Sequence, residues 1–295
     1  MEPTHTHAGS EIPSSAEPRL PLELEQAIFE LVALSRPVFI PNLLLVASRV
    51  KQWAEPFLYR TLIIAQDKSR TDHLRTYTVA QWRRIHELRP SLLKSVRNLM
   101  LDTPLRHDSA TLDMIFSSCP NVQNVCMCWA ARASLALPRT ETVDILPLRH
   151  LYSEVHDLVE RNPFSRPFYR NISHLELGDP PAEEDWTDLV HLPQLTHIAF
   201  IYEIPILFRR LLDECKLLRA LVVLGVPDVR SDYSQLATEK RFVMMEVPDF
   251  IGDWQRGVLD GNDYWARAEE FIARRITGGS SPDAQYPFYL IDNVA

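Results

Sequence analysis

Apolar residues along this chain follow two alternating periods. A six-residue template, apolar-x-x-apolar-x-apolar, occurs as VRNLML from Val96, VQNVCM from Val122, ISHLEL from Ile172, LTHIAF from Leu195 and LRALVV from Leu218, with an imperfect copy, LRHLYS, from Leu148. Successive copies start 23 to 26 residues apart, a period at which supersecondary units stack on one another. The end of each copy alternates as a strand does. Between copies, SATLDMIFSSC, SEVHDLVERN, EDWTDLVHL and PILFRRLLDEC repeat their apolar residues at three- and four-residue steps, as helices do. The pattern predicts strand and helix in regular alternation over residues 66–252.

The flanks read differently. Residues 1–19 combine Pro3, Pro13 and Pro18 with Ser, Thr, His5 and His7, which predicts a disordered tail. From residue 20 the text is helical: LPLELEQAIFELV places Leu24, Ile28, Leu31 and Val32 at helical spacing behind Pro21, Pro37 breaks the run, and Pro41 can open a second helix. Residues 20–65 are expected to form a small helical module. Residues 253–295 open with DWQRGVLDGNDYWARAEEFIARR and are expected to form a helical cap and tail.

Because side chains alternate along a strand, residues sharing a template position line up across the predicted sheet. With Leu99 and Leu101 in the core, the opposite face carries the column Asn98, Asn124, His150, His174, His197, Ala220, with Tyr152 and Glu176 two residues along their strands. Neighbouring strands lie about 4.8 Å apart, so three imidazoles would stack. Sharing a metal, with Cys126 and Cys128 nearby, is the sharp reading. A hydrogen-bonding ladder on a partner-binding surface is preferred, because zinc needs convergent ligands and a supporting shell. The last strands turn the same face apolar through Ala199, Ile201, Ala220, Val222 and Leu224, and Tyr264, Trp265 and Phe271 are candidates to cover that patch. Asp260 and Asp263 in DGND suit a turn and helix cap better than a calcium loop, which needs further acids.

Composition narrows the function classes. Lys and Arg total 31 against 39 Asp and Glu, a formal net charge of −8, and no local run of basic residues offsets it, so nucleic acid is not an expected partner. Only 8 glycines occur, none in a phosphate-cradling or nucleophile-elbow motif. The dipeptides His107-Asp108 and His156-Asp157 are the remaining support for a hydrolase, and neither has a partner motif at a fixed distance. Four cysteines, unevenly spread, suit free thiols, with Cys119 and Cys215 buried at helix ends. No apolar run is long enough for a bilayer. A cytoplasmic or nuclear protein without cofactor or metal is expected.

The order of parts carries a resemblance. Leu20-Pro21 with Glu23, Ile28 and Phe29, then Val46, Trp53 and the closing Leu58-Tyr59-Arg60, followed by leucine-rich-repeat-like units and the 253–275 ending, resembles an F-box protein, particularly the fungal F-box-like set. VASRVKQW lengthens the usual interval between Val46 and Trp53. The resemblance implies an α/β fold, with a small N-terminal α-helical F-box-like module followed by a degenerate leucine-rich-repeat-like solenoid. It implies a non-catalytic substrate receptor of a Skp-cullin-F-box ubiquitin ligase. Leu20, Pro21, Glu23, Ile28, Phe29, Val46, Trp53, Leu58 and Tyr59 would then meet the Skp adaptor of the cullin core. Asn98, Asn124, His150, Tyr152, His174, Glu176 and His197 would meet a target protein. A scaffold that has lost the adaptor is the milder alternative.

Overall fold

Prolines cut the first helical stretch into short pieces. The computed structural model of the chain describes residues 20–65, 74–102, 109–127, 141–153, 163–178, 183–227, 233, 235–278 and 288–290, and contacts divide it into two units, Met1–Glu55 and Pro56–Ala295. In the first unit, helix α1 (Leu22–Ser35) begins directly after Pro21, whose carbonyl accepts from the Leu24 and Glu25 N–H groups at 3.0 Å each. Pro21 is therefore the residue ahead of the first turn rather than a member of it. Arg36 leaves the helical region, as a residue before proline tends to. A 3-10 turn (Pro37–Phe39), α2 (Ile40–Leu43) and α3 (Ser48–Ala54) follow. Ala33, Ile40, Val50 and Ala54 form the small buried centre.

The second unit is an α/β structure around one ten-stranded parallel sheet. In chain order its elements are β1 (Thr61–Ala65), β2 (Thr76–Tyr77), α4 (Val79–Leu88), α5 (Pro90–Leu93), β3 (Asn98–Asp102), α6 (Ser109–Ser118), β4 (Asn124–Met127), α7 (Glu141–Asp144), β5 (His150–Ser153), β6 (His174–Leu177), α8 (Trp186–Val190), β7 (His197–Phe200), α9 (Pro205–Glu214), β8 (Ala220–Leu224), β9 (Phe242–Met245), α10 (Phe250–Asp260), α11 (Tyr264–Ile276) and β10 (Tyr289–Leu290). The spatial order is β10-β9-β8-β7-β6-β5-β4-β3-β1-β2. Each of β3 to β8 starts at the third position of its sequence template, and the pairing Asn98↔Asn124↔His150↔His174↔His197↔Ala220 is the expected column.

Two expectations need correction. The span 20–65 is not helical throughout: TLIIA at Thr61–Ala65 is β1, paired residue for residue with β3 from Thr61↔Asn98 to Ala65↔Asp102. A five-residue apolar run carries no period that separates strand from helix, and its neighbour in the sheet decides. The carboxy-terminal helices start at Phe250 rather than at Asp253, and the strands β9 and β10 complete the sheet before and after them. The segment SEVHDLVERN lies, beyond its first residue, outside the described residues, as do residues 1–19, Cys128, Glu154 and both His-Asp dipeptides.

One face of the sheet is covered by the connections that precede β9. Leu62 and Ile64, Leu99 and Leu101, Leu175 and Leu177, and Leu221 and Val223 pack with Trp82, Phe116, Leu189, Phe208 and Leu211 in a single core. The opposite face, with Ile63, Met100, Cys126, Tyr152, Ala199, Val222 and Val243, is covered by Trp254, Tyr264, Trp265, Ala268, Phe271 and Ile272 of α10 and α11. Tyr264, Trp265 and Phe271 thus do cover apolar strands, but the cover extends past the last ones, to β5, where Trp265 meets Tyr152, and β4, where Trp254 meets Asn124.

Glycine permits the tight turn between those two helices. Gly261 ends α10 at φ +77°, Asp263 caps α11 by accepting from Ala266 N–H at 3.0 Å, and Asp260 accepts from Asn262 N–H at 3.0 Å. DGND is the turn and cap expected of it. A Cβ on Gly257 would lie 2.7 Å from Asp263 Oδ2 and 2.8 Å from its Cβ. Gly257→Ala should therefore lower stability by about 1–3 kcal/mol through overpacking, outweighing alanine's helix preference of about 1 kcal/mol. Gly225→Ala, where nothing lies within 4 Å, should change little. Urea unfolding of both variants checks this, and equal midpoints would mean that the two helices have room to part.

Candidate functional site

Two groups of residues qualify as sites, one in each unit. In the first unit, α1 turns Leu24, Ile28, Leu31 and Leu34 toward solvent at helical steps of four, three and three, with Ile28 49% and Leu31 64% exposed. Leu20, Val38, Phe39, Leu45 and Val46 are also exposed. A helix normally buries its apolar stripe, and this one is exposed. Of the residues assigned to adaptor contact, Leu20, Pro21, Glu23, Ile28 and Val46 are exposed. Phe29 and Trp53 are half-buried against each other, with ring centroids 6.5 Å apart. Arg49 pairs with Glu25 at 2.7 Å and ties α3 to α1. Leu58 and Tyr59 are half-buried in a 3-10 turn (Glu55–Tyr59) that begins at the boundary of the second unit.

In the second unit the expected column is in register but is not an open surface. His150 stacks on His174 at 4.1 Å and His174 on His197 at 4.0 Å, with planes 20° and 5° apart. Trp265 of α11 stands edge-on to both His174 and His197, at 5.4 and 5.7 Å. Stacked rings hold their nitrogen lone pairs in parallel planes, so they do not converge on one point, and no group of three or more His, Cys, Asp or Glu among the described residues is placed to hold a metal ion. His197 Nε2 donates to Glu269 of α11 at 3.0 Å, and His197 Nδ1 lies 2.8 Å from the Thr196 hydroxyl, which itself donates to Ser173 O at 3.0 Å.

The remaining column residues also serve the chain's own helices. Trp254 Nε1 donates to Asn124 Oδ1 at 3.1 Å, Trp265 Nε1 to the Tyr152 oxygen at 3.1 Å, and the Tyr264 hydroxyl to Glu176 at 2.7 Å. Asn98 donates to Thr61 at 3.1 Å. Tyr152, Glu176 and His197 are each 3% exposed or less. The partner-binding assignment of Asn124, Tyr152, His174, Glu176 and His197 is corrected accordingly: α10 and α11 occupy the place expected of a target. His150, at the end of the imidazole stack, stays half-buried.

Sequence reasoning missed Asp253 and Glu269. Asp253 is fully buried and accepts from Tyr264 N–H at 2.8 Å while pairing with Arg267 at 2.6 Å and Arg256 at 3.1 Å. It ties α10 to the start of α11 and pairs both helices' arginines. An acid inside DWQRG has no periodic signature that separates it from solvated acids nearby. Burial raises the carboxyl of Asp263, and burial also raises the hydroxyls of Tyr152 and Tyr264 far above the usual tyrosine range. All three are held inside the helix-to-sheet contact.

Comparison with protein-family models and with curated proteins yields no match for this chain. No helix among the described residues is long and apolar enough to cross a membrane. Cys119, Cys126 and Cys215 are buried free thiols, and burial pushes the Cys119 thiol up to about 12.

The imidazole stack makes stability depend on pH. Burial, helped by the charges of His197 and Arg149, pushes His150 down to about 4; burial and both neighbouring histidines push His174 down to about 2. Burial also lowers His197, although Glu269 opposes the shift. The folded chain therefore binds fewer protons than the unfolded one below about pH 6.5, where a free imidazole begins to charge. The stack's contribution is complete above about pH 6.5 and falls as pH drops toward 4 for His150 and further for His174. Denaturation midpoints should decline on acidification across that range, and a His150→Asn, His174→Asn double variant should show a shallower decline. Equal slopes for the two proteins would remove the histidines as its source.

Proposed function

We propose that the chain is a non-catalytic recognition subunit of a Skp-cullin-F-box ubiquitin ligase, in which the first unit docks to the adaptor and the sheet unit holds a target. The observation that carries this reading is the apolar stripe Leu24, Ile28, Leu31 and Leu34, exposed together with Leu20 and Val46 on a helical unit whose own buried centre is four residues. Anchors of this size on helices are what a helix-binding partner buries. The resemblance of LPLELEQAIFELV and its continuation to an F-box supplies the identity of that partner.

Under the same reading the sheet unit is a degenerate leucine-rich-repeat solenoid. Support comes from strand order, since from β3 to β10 each strand lies beside its predecessor, and from the constant template position at which β3 to β8 begin. A doubly wound nucleotide-binding sheet covers both faces with crossover helices and binds its ligand where strand order reverses. Here too both faces carry crossover helices, the second one α10 and α11 of the β9–β10 connection, but the reversal of strand order is at the edge, where the two-residue β2 lies outside β1.

Leu20→Asp with Ile28→Asp should abolish capture of the Skp adaptor and cullin in a copurification assay. Loss of an interface anchor costs about 2 kcal/mol or more, roughly thirtyfold in affinity for each. Both side chains are about half exposed, at 45% and 49%, so the circular dichroism spectrum and melting point should stay as in the parent chain. Adaptor capture unchanged in the double variant would sink the docking assignment, and a parent chain that captures no adaptor would leave the scaffold reading in its place.

A further inference from the structure

The amino-terminal ends of the strands assemble positive charge that the linear sequence disperses. The residue before each strand forms a row joined by backbone hydrogen bonds: Arg97 N–H donates to Arg60 O at 2.8 Å, Gln123 to Arg97 at 2.8 Å, and Arg149 to Gln123 at 2.8 Å. The row continues through Ser173 and Thr196 to Arg219, whose N–H donates to Thr196 O at 2.7 Å. Arg60, Arg149 and Arg219 are exposed. None of the three guanidinium groups has a hydrogen bond or ion pair among the described residues, although acids outnumber bases in this chain. Three residues before the row, in the turns that lead into β3, β6 and β8, Lys94, Arg170 and Lys216 add exposed positive charge.

The acids near this edge are already engaged. Glu239 is held by Arg241 at 2.9 Å and Glu214 by Arg210 at 3.0 Å. Arg97 carries a positive charge close enough to Arg60 to lower the Arg60 pKa, in the same direction as burial. The like charges of Arg60 and Arg97, held close by backbone pairing, are relieved by an anion from outside.

We infer that this edge binds an extended acidic peptide segment of a partner protein, with Arg60, Arg149 and Arg219 as its carboxylate-binding residues. Guanidinium groups match carboxylates in geometry as well as charge, and Gln123, Ser173 and Thr196 separate the charges with neutral polar groups. Six strand steps of about 4.8 Å make the row about 29 Å long, the length of roughly nine residues of extended peptide. Single-stranded nucleic acid is disfavoured because it needs aromatic platforms for its bases: the most exposed aromatic residues among the described ones, Phe39 at 44% and Tyr202 at 57%, are not among the residues of this row. The net charge of −8 adds repulsion toward a long polyanion. The surface deepens the ligase reading by naming what a target would present, and it rests on that reading only for the destiny of the bound protein.

The test uses the full chain without adaptor, at low salt, and reads the fluorescence anisotropy of a labelled peptide of about ten residues alternating Glu and Ser. Binding is expected, weakening as salt rises; the same peptide with Gln for Glu should not bind. The triple variant Arg60→Gln, Arg149→Gln, Arg219→Gln should lose about tenfold or more in affinity with an unchanged melting point. Arg149→Glu alone should weaken binding in the same direction, and Arg84→Gln, an exposed arginine of helix α4, should bind as the parent. Failure of the Glu peptide to bind, equal binding by the triple variant, or tighter binding of an oligothymidylate of similar length would each overturn the proposal. Peptide binding and adaptor capture are read separately, so either result can fail without the other.

Discussion

A parallel sheet has two faces to bury, and the connections that precede β9 cover only one. Everything in the second unit depends on how the other face is closed. Ten strands with Ile63, Met100, Tyr152, Val222 and Val243 on that side would leave an apolar area far beyond what a soluble surface carries. Helices α10 and α11 close it, and they are held by directed polar contacts as well as apolar ones. Trp254 meets Asn124, Trp265 meets Tyr152, Tyr264 meets Glu176 and Glu269 meets His197. These contacts fix where the helix pair lies along the sheet, which apolar burial alone leaves free because it is non-directional.

That closure explains which parts of the structure were legible in the sequence. A strand that recurs at a fixed interval announces itself: β3 to β8 start where the templates place them, and the Asn-His column follows from side-chain alternation. TLIIA and FVMM, which form β1 and β9, escape that signal because they are short apolar runs outside the template series. The fate of the column was missed for a different reason. Periodicity says which residues share a face and nothing about what lies upon it. Ladder pairing of His150, His174 and His197 is local information, whereas the contact of His197 with Glu269 spans 72 residues, a separation that no pattern read along one strand can reach.

The two units manage apolar surface in opposite ways. In the sheet unit both faces are covered, and even titratable groups such as Glu176 and Asp253 are 3% exposed or less. In the helical unit four side chains form the buried centre while a whole stripe of α1 stays open. A unit that small cannot bury every Leu it carries, because surface outgrows volume as domains shrink. Its open side chains are nonetheless ordered along one helix face rather than scattered. Single exposed apolar residues need no explanation; a row of four at helical spacing does.

Charge in this fold has the same dependence on placement. A net charge of −8 is a sum over the molecule, and it led to the expectation that no basic surface exists. In a sheet whose strands recur at a fixed template position, residues 23 to 37 apart in sequence become neighbours, as Arg60 and Arg97 or Thr196 and Arg219 do through their backbone hydrogen bonds. Any residue type favoured at one template position is therefore concentrated into a line, whatever the total. The same rule makes both the imidazole stack and the arginine edge: each is one repeat position read across strands. A composition average is blind to both, and charge in such a chain has to be counted column by column.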